Sequence, residues 1–339
     1  MTAPSRLTHY ILQSPHRLVM PIGVYAGLPL TGASVRQVVS DAQAQTEAVL
    51  ALHEHCRLDF LLTAMDLSAE AETFGCTIRM DDAEIPTVLG RLVTAAAGID
   101  ALPAPQPGDA RTAVHLATVG NLAAAVRNRP VLGGMIGPFS LAGRLFGVSE
   151  LLEAAALEPE LVERLLDKVT PFLTAYARAF RAAGAWGVVM AEPAAGLLSP
   201  RALARLSTPY VRTIVEAVQD ADFSVVLHNC GARLAHLAHI LPAGAHFFHF
   251  GAPMDLPAAL DQVGDGAILA GNLDPTAVFY QGTPQTVQGQ ATRLLDAVGA
   301  RPNFVLSSGC DLPPGTPVPN VEALFAAARA TVNGSIAQA

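Results

Sequence analysis

The 339-residue chain has one lysine (Lys168), one tryptophan and four cysteines, and only 15% of its residues are charged. Each scarcity excludes a class of function. Its positive charge is spread over scattered arginines and the net charge is −8, so no basic stripe exists to neutralise a phosphate backbone, which argues against nucleic acid as a partner. Cys56, Cys76, Cys230 and Cys310 are too few to staple a chain of this length, which points to a reduced, cytoplasmic protein. No apolar run approaches the ~18 residues that cross a bilayer. The opening MTAPSRLTHY lacks the charged-then-apolar layout of a secretory signal. Apolar residues nevertheless make up 51% of the chain, enough for a large core in two ordinary domains or one barrel.

Eight runs rich in Val, Ile, Leu and Phe read as strands: 18–25, 59–66, 131–140, 186–193, 224–230, 246–251, 267–275 and 304–311. Helical patterns separate most of them. One starts at a Ser34 N-cap and runs to Cys56. A pair follows the third strand, with Ser149 as an N-cap, Pro159 in the first turn of the second helix and Gly184 ending it. Ser199-Pro200 opens another, and the last begins near Asn320. The stretch 67–130 is long for a connection and reads as a lid or inserted subdomain. It carries helical patterns around 86–97 and 110–127, with the loop PAPQPGD between them. Eight buried strands alternating with helices predict a parallel (β/α)8 TIM barrel, one domain over 1–339 with an N-terminal extension and this insertion after the second strand. An open doubly wound sheet is the alternative.

Asp66, Glu192, His228, Cys230, His249, Asn272, Asp274 and Cys310 all fall at or just past the C-terminal ends of these strands, the face that carries barrel active sites. The densest stretch is Ser224–Gly231, SVVLHNCG. Strand side chains alternate, so His228 and Cys230 point the same way, and Cys310 ends another strand in FVLSSGCD. One imidazole and two thiolates suit Zn²⁺, and three protein ligands with an open position describe a catalytic site. Cys56 and Cys76 lack strand-end placement and read as apolar filler. Glu192 and Asp66 are candidate proton-handling carboxylates, and Glu192 is also a candidate fourth ligand; each is equally a residue that orders a loop. His249 and Asn272 are candidate contacts for a ligand or cofactor, against a satisfied interior histidine and a loop-shaping amide. His236 and His239 lie in a helical pattern away from the site. Gly133-Gly134 lacks the layout of a dinucleotide loop.

IGPFSLAGRLFG, GNLDP and the strand-end pattern resemble the uroporphyrinogen decarboxylase superfamily over nearly the whole chain. Within it, LHNCG, SSGCDLPPGTPVPN and MDLSAEAETFGC resemble the zinc-dependent methylcobamide:coenzyme M methyltransferase branch. That resemblance implies the barrel fold, zinc on His228, Cys230 and Cys310, and a methyl-corrinoid carried by a separate partner protein. It implies methyl transfer to a small thiol. The decarboxylases hold porphyrinogen carboxylates with an arginine-rich N-terminal segment, whereas VMPIGVYAGLPLTGASV has no arginine before Arg36. They also carry a histidine near the end of the last strand, where this chain has Gly309-Cys310. A tetrahydrofolate acceptor, decarboxylation of a tetrapyrrole and a non-catalytic zinc sensor stand as alternatives. Homo-oligomerisation is left open by the sequence.

Overall fold

In the computed structural model, which describes residues 4–335, seven parallel strands curl into one sheet in the order β1-β4-β5-β6-β7-β8-β9. These are β1 (Leu61–Leu62), β4 (Val131–Ile136), β5 (Gly187–Ala191), β6 (Ser224–Asn229), β7 (Phe247–Phe250), β8 (Ile268–Leu273) and β9 (Phe304–Ser308). A separate antiparallel pair, β2 (Thr77–Arg79) and β3 (Thr87–Leu89), lies in the excursion after β1. The curled parallel sheet with helices outside is of the expected barrel type. Its first staple differs from expectation. The run 18–25 forms a single parallel bridge, Val19 to Leu306, and then a 3-10 turn, Val24–Gly27. The reason is local: Pro21 has no N–H to donate, and the Ile22 N–H turns to the Ser308 hydroxyl instead of a neighbouring carbonyl.

The period of two divides the strand residues between two cores. Phe60, Leu132, Val189, Val226, Phe247 and Val305 fill the barrel interior. Val188, Val225, Phe248, Leu269 and Leu306 face the surrounding helices. The helix α1 (Arg6–Leu12), capped by Ser5, closes the N-terminal end of the barrel by adding Leu7 and Ile11 to the interior cluster. The Ser5 hydroxyl reaches the Ser224 hydroxyl at 2.8 Å, and the Arg6 guanidinium lies 3.4 Å from the Trp186 ring centroid. These contacts seat the helix against the N-terminal end of the barrel.

Several local expectations are corrected. The helical pattern at 86–97 is instead the second strand of the hairpin, followed by a short helix at Ala96–Asp100. Thr87 and Val88 favour extended backbone, and the Asp81 carboxylate accepts the Ala83 and Glu84 N–H groups to make the turn. The single helix expected over 34–56 breaks at Asp41, whose carboxylate caps a second helix, Ala42–Cys56, by accepting from Gln43 and Ala44. Ser149 is not a cap; the helix Val148–Leu157 begins at Gly147. The helices at Thr112–Ala125 and Pro159–Ala182 follow the pattern read from the sequence.

The Gly133-Gly134 pair serves packing. A Cβ on Gly133 would lie 2.4 Å from the ring of Phe180, so the helix Pro159–Ala182 rests directly on β4. We expect Gly133→Ala to destabilise the fold by about 1–3 kcal/mol, as overpacked cores do. Adding Phe180→Leu should recover part of that loss. Urea midpoints of the single and double variants test this, and strict additivity of the two losses would rule out the contact as the cause.

Candidate metal centre and adjoining cavity

The three soft side chains anticipated from the sequence converge. One ligand atom from each of His228, Cys230 and Cys310 lies within 4.8 Å of the others. β6 delivers His228 and Cys230 to the same side, and the turn after β9 brings Cys310 across the mouth. The Cys230 and Cys310 sulfurs share a hydrogen bond, which pulls the Cys230 thiol down to about 7 and, together with burial, raises that of Cys310. The pair therefore releases a first proton readily and holds the second. An entering cation would displace that proton, so metal affinity should rise with pH.

The histidine is held by a chain of hydrogen bonds whose direction can be deduced. The Ser307 hydroxyl donates to the Met20 carbonyl. It therefore accepts from His249 Nε2, 2.7 Å away. His249 is fully buried, and burial pushes its pKa well below the usual value, so it is neutral and its Nδ1 is an acceptor. His228 Nδ1, at 2.8 Å, must then be the donor. That leaves the lone pair on His228 Nε2, a buried atom with no hydrogen-bond partner. An orphaned imidazole nitrogen beside two thiols is the donor set a Zn²⁺ ion fits, with its second sphere already built. His249, expected to contact a ligand, stands behind His228 instead.

A cavity of about 190 Å³ abuts His228 and Cys310. Met65, Leu67, Ile85 and Pro86 give it an apolar wall, the last two from the turn of the β2–β3 hairpin, and Arg144 and Asp311 are its charged members. Neither of these two was singled out by the sequence. Arg144 is one arginine in a helical motif, and Asp311 was read only as the end of a strand. The Arg144 guanidinium is half-buried and makes no hydrogen bond or ion pair among the described residues. Burial lowers its pKa, and Asp66 and Glu70 raise it. Both Asp311 carboxylate oxygens are buried without a partner.

The two candidate proton-handling carboxylates lie outside the cavity lining. Glu192 Oε1 accepts from the Phe139 N–H at 2.9 Å, and Oε2 from the N–H and hydroxyl of Ser140 at 2.9 and 2.7 Å. It thereby binds the N-terminus of the helix Pro138–Phe146, which carries Arg144. Burial raises the Glu192 pKa to about 7 against these donors. Asp66 accepts from the N–H and hydroxyl of Ser68 and pairs with Arg111, which also pairs with Glu72 at 2.7 Å. Asn272 donates to the Gly251 and Met254 carbonyls and so shapes the loop after β7. Asp274 caps the turn Pro275–Tyr280. Cys56 and Cys76 are buried away from the cluster, with burial pushing their thiols up to about 12 and about 11.

A parallel barrel with two thiols and an imidazole at its mouth defines a scaffold with a candidate metal site. The uroporphyrinogen decarboxylase (URO-D) family model matches residues 22–331, and the chain belongs to that family. It is 30% identical over 303 residues to the methylcobamide:CoM methyltransferase MtbA of Methanosarcina acetivorans, covering 88% of each chain. It is 28% identical over 316 residues to the uroporphyrinogen decarboxylase of Alkalilimnicola ehrlichii, covering 89% of this chain and 84% of that one. A solved methyltransferase from Methanosarcina mazei superposes with a TM-score of 0.86 over 96% of this chain at 24% identity, which establishes the shared fold.

We expect Cys230→Ser and Cys310→Ser each to lose most bound zinc, and Cys56→Ser and Cys76→Ser to keep it, by metal analysis of the purified proteins. His249→Phe should weaken zinc about 10–100-fold in chelator competition, because it removes the acceptor that orients His228. Unchanged affinity in that variant would show the hydrogen-bond chain to be incidental.

Glu70 allows a separate test of burial. Its Oε1 accepts from the Ile136 N–H, its Oε2 has no partner, and burial raises its pKa to about 7. The folded-state value lies above the unfolded one, so its contribution to stability is full below the unfolded pKa, near ~4.3, and is lost as pH rises through about 7. Glu70→Gln should therefore flatten the fall in urea midpoint between those two limits. Parallel curves for variant and parent would contradict the assignment.

Proposed function

We propose that this protein is a zinc-dependent methyltransferase that moves a methyl group from a methylated corrinoid, carried by a partner protein, to a small coenzyme M-like thiol. The observation that carries this reading is the joining of three soft ligands to a small, mostly apolar cavity at the barrel mouth. The MtbA relative, whose name describes methyl transfer from a methylcobamide to CoM, supports it. His228, Cys230 and Cys310 would hold the metal, with His249 and Ser307 fixing the tautomer of His228. Bound there, Zn²⁺ supplies a position at which a thiol is held as its thiolate at neutral pH.

The transfer balances simply. The acceptor thiol gives up its proton, its sulfur attacks the methyl carbon, and the S–C bond forms as the Co–C bond breaks. The bonding pair stays with cobalt, which passes from Co(III) to Co(I). The apolar wall keeps water from competing for the methyl group, and the cavity aligns the sulfur with a donor entering from the mouth. On this reading Glu192 and Asp66 contribute by position. Glu192 fixes the helix that bears Arg144, and Asp66 neutralises Arg111. A folate acceptor is disfavoured by size, since ~300 Å³ is the lower end for pockets that enclose drug-sized ligands. The family's decarboxylase activity is disfavoured by the absence of arginine between Val19 and Val35.

Thiol activation is open to direct measurement. Adding a suitable thiol to the zinc protein should add a sulfur neighbour to the metal in X-ray absorption and release about one proton near neutral pH, because free thiols, with a pKa near ~8.5, are mostly protonated there. Methylcobalamin should then methylate that thiol, and chelation should abolish the reaction. Methylation of tetrahydrofolate with no added sulfur at zinc, or decarboxylation that survives chelation, would replace this reading.

A further inference from the structure

The small cavity beside the metal ligands is lined by one cation, and that cation has no partner. Arg144 sits in the last turn of the helix Pro138–Phe146, which is buried along most of its length and bound at its N-terminus by Glu192. Its guanidinium offers five donors in a planar fork, yet it makes no hydrogen bond, ion pair or ring contact among the described residues. The acidic groups that act on it through space are Asp66 and Glu70, and neither is bonded to it. Asp66 is taken by Ser68 and Arg111, while Glu70 accepts from the Ile136 N–H. Other arginines that burial desolvates are satisfied by the chain itself. Arg111 is bonded to Asp66, Glu72 and Ser68, and Arg17 donates to the carbonyls of Gly299, Arg301 and Phe304. A desolvated donor fork that is left free and borders a cavity describes a binding group whose partner is a ligand.

Resting on the reading of this cavity as the acceptor site, we propose that Arg144 is the residue that selects the acceptor, by taking an acid group, carboxylate or sulfonate, at the end of the molecule away from its thiol. His228 and Cys310 line the same cavity as Arg144, so a ligand that fills it meets the metal position at one end and the guanidinium at the other. The volume, about 190 Å³, is below the ~300 Å³ at which pockets enclose drug-sized ligands, which restricts the molecule to a short one. Met65, Leu67, Ile85 and Pro86 give a methylene spacer an apolar wall. A neutral thiol would leave the fork desolvated and unpaired, whereas a planar carboxylate or a sulfonate accepts two of its parallel N–H groups at once. That geometry is specific to arginine, because the ammonium of a lysine supplies the charge without the fork. The fork is also set in place beforehand. Glu192 holds the first N–H groups of the helix that carries it, so little ordering is left for the ligand to impose.

The test is binding to the zinc-loaded protein by calorimetry, with thiols that share a two-carbon spacer and differ in the far group: 2-mercaptoethanesulfonate, 3-mercaptopropionate and the neutral 2-mercaptoethanol. The parent should bind the two acidic thiols about 10–100-fold more tightly than 2-mercaptoethanol. Arg144→Gln should weaken both acidic thiols by that factor and leave 2-mercaptoethanol within about twofold, and Arg144→Lys should restore part of the loss. In turnover with methylcobalamin, Arg144→Gln should raise KM for 2-mercaptoethanesulfonate by the same factor and change kcat far less. Thermal melts and zinc content of each variant exclude a folding defect, and the ranking on the parent needs no variant. If the parent shows no preference for the acidic thiols, or if the preference survives Arg144→Gln, the anchor is overturned while thiol activation stands. Equal weakening of all three thiols would make Arg144 a structural residue and overturn it too. So would a variant that binds every thiol as the parent does and loses only its use of methylcobalamin, because the arginine would then serve the donor. If none of the three adds sulfur to the zinc shell, the thiol reading itself fails and this proposal with it.

Discussion

The site depends on a hydrogen bond between two buried histidines in register on adjacent strands, His228 of β6 and His249 of β7. An imidazole placed among thiols is a useful metal ligand only if the correct nitrogen carries the lone pair. The bond from His228 Nδ1 to His249 Nδ1 makes that choice, and Ser307 and the Met20 carbonyl enforce it from behind. Because Met20 belongs to the segment that bridges to β9, the tautomer of His228 is tied to closure of the barrel. Packing and chemistry are linked at that point.

A second constraint works from the other side of the mouth. Glu192 directly follows β5, whose last residue, Ala191, is in register with His228 of β6. Its carboxylate turns away from the cavity to bind the first N–H groups of the helix Pro138–Phe146. A Cβ on Gly137 would lie 2.4 Å from the Glu192 side chain, so the helix start is fitted closely around it. The ligand set and the cationic wall of the cavity are thus positioned by neighbouring strands through different bonds.

Much of this was legible in the sequence, for identifiable reasons. The alternation in SVVLHNC sends His228 and Cys230 to one side, and the parallel barrel brings the ends of β6 and β9 to a common mouth, so the meeting of these two with Cys310 followed from period and topology. The hairpin at Thr77–Leu89 was not legible, because its strands are three residues each and its apolar spacing also fits a helix. The loss of regular pairing at 18–25 was present in Pro21, but an edge segment with one proline still reads as a strand. Glu192 and Asp66 were legible as strand-end carboxylates, yet which way a carboxylate turns depends on donors from distant segments, Ser140 and Arg111. Arg144 and Asp311 were invisible for a related reason. What marks them is the absence of a partner, and that is a property of three-dimensional neighbours alone.

The central claim is that His228, Cys230 and Cys310 form one metal site with a position left for substrate. Replacing zinc with Co²⁺ and recording the electronic spectrum tests it most directly, since geometry and ligand softness both show in the bands. The account predicts intense tetrahedral d–d absorption with thiolate-to-cobalt charge transfer at one Co²⁺ per chain, lost in Cys230→Ser and Cys310→Ser. A weak octahedral spectrum without charge-transfer bands, or the full spectrum surviving both substitutions, would contradict it.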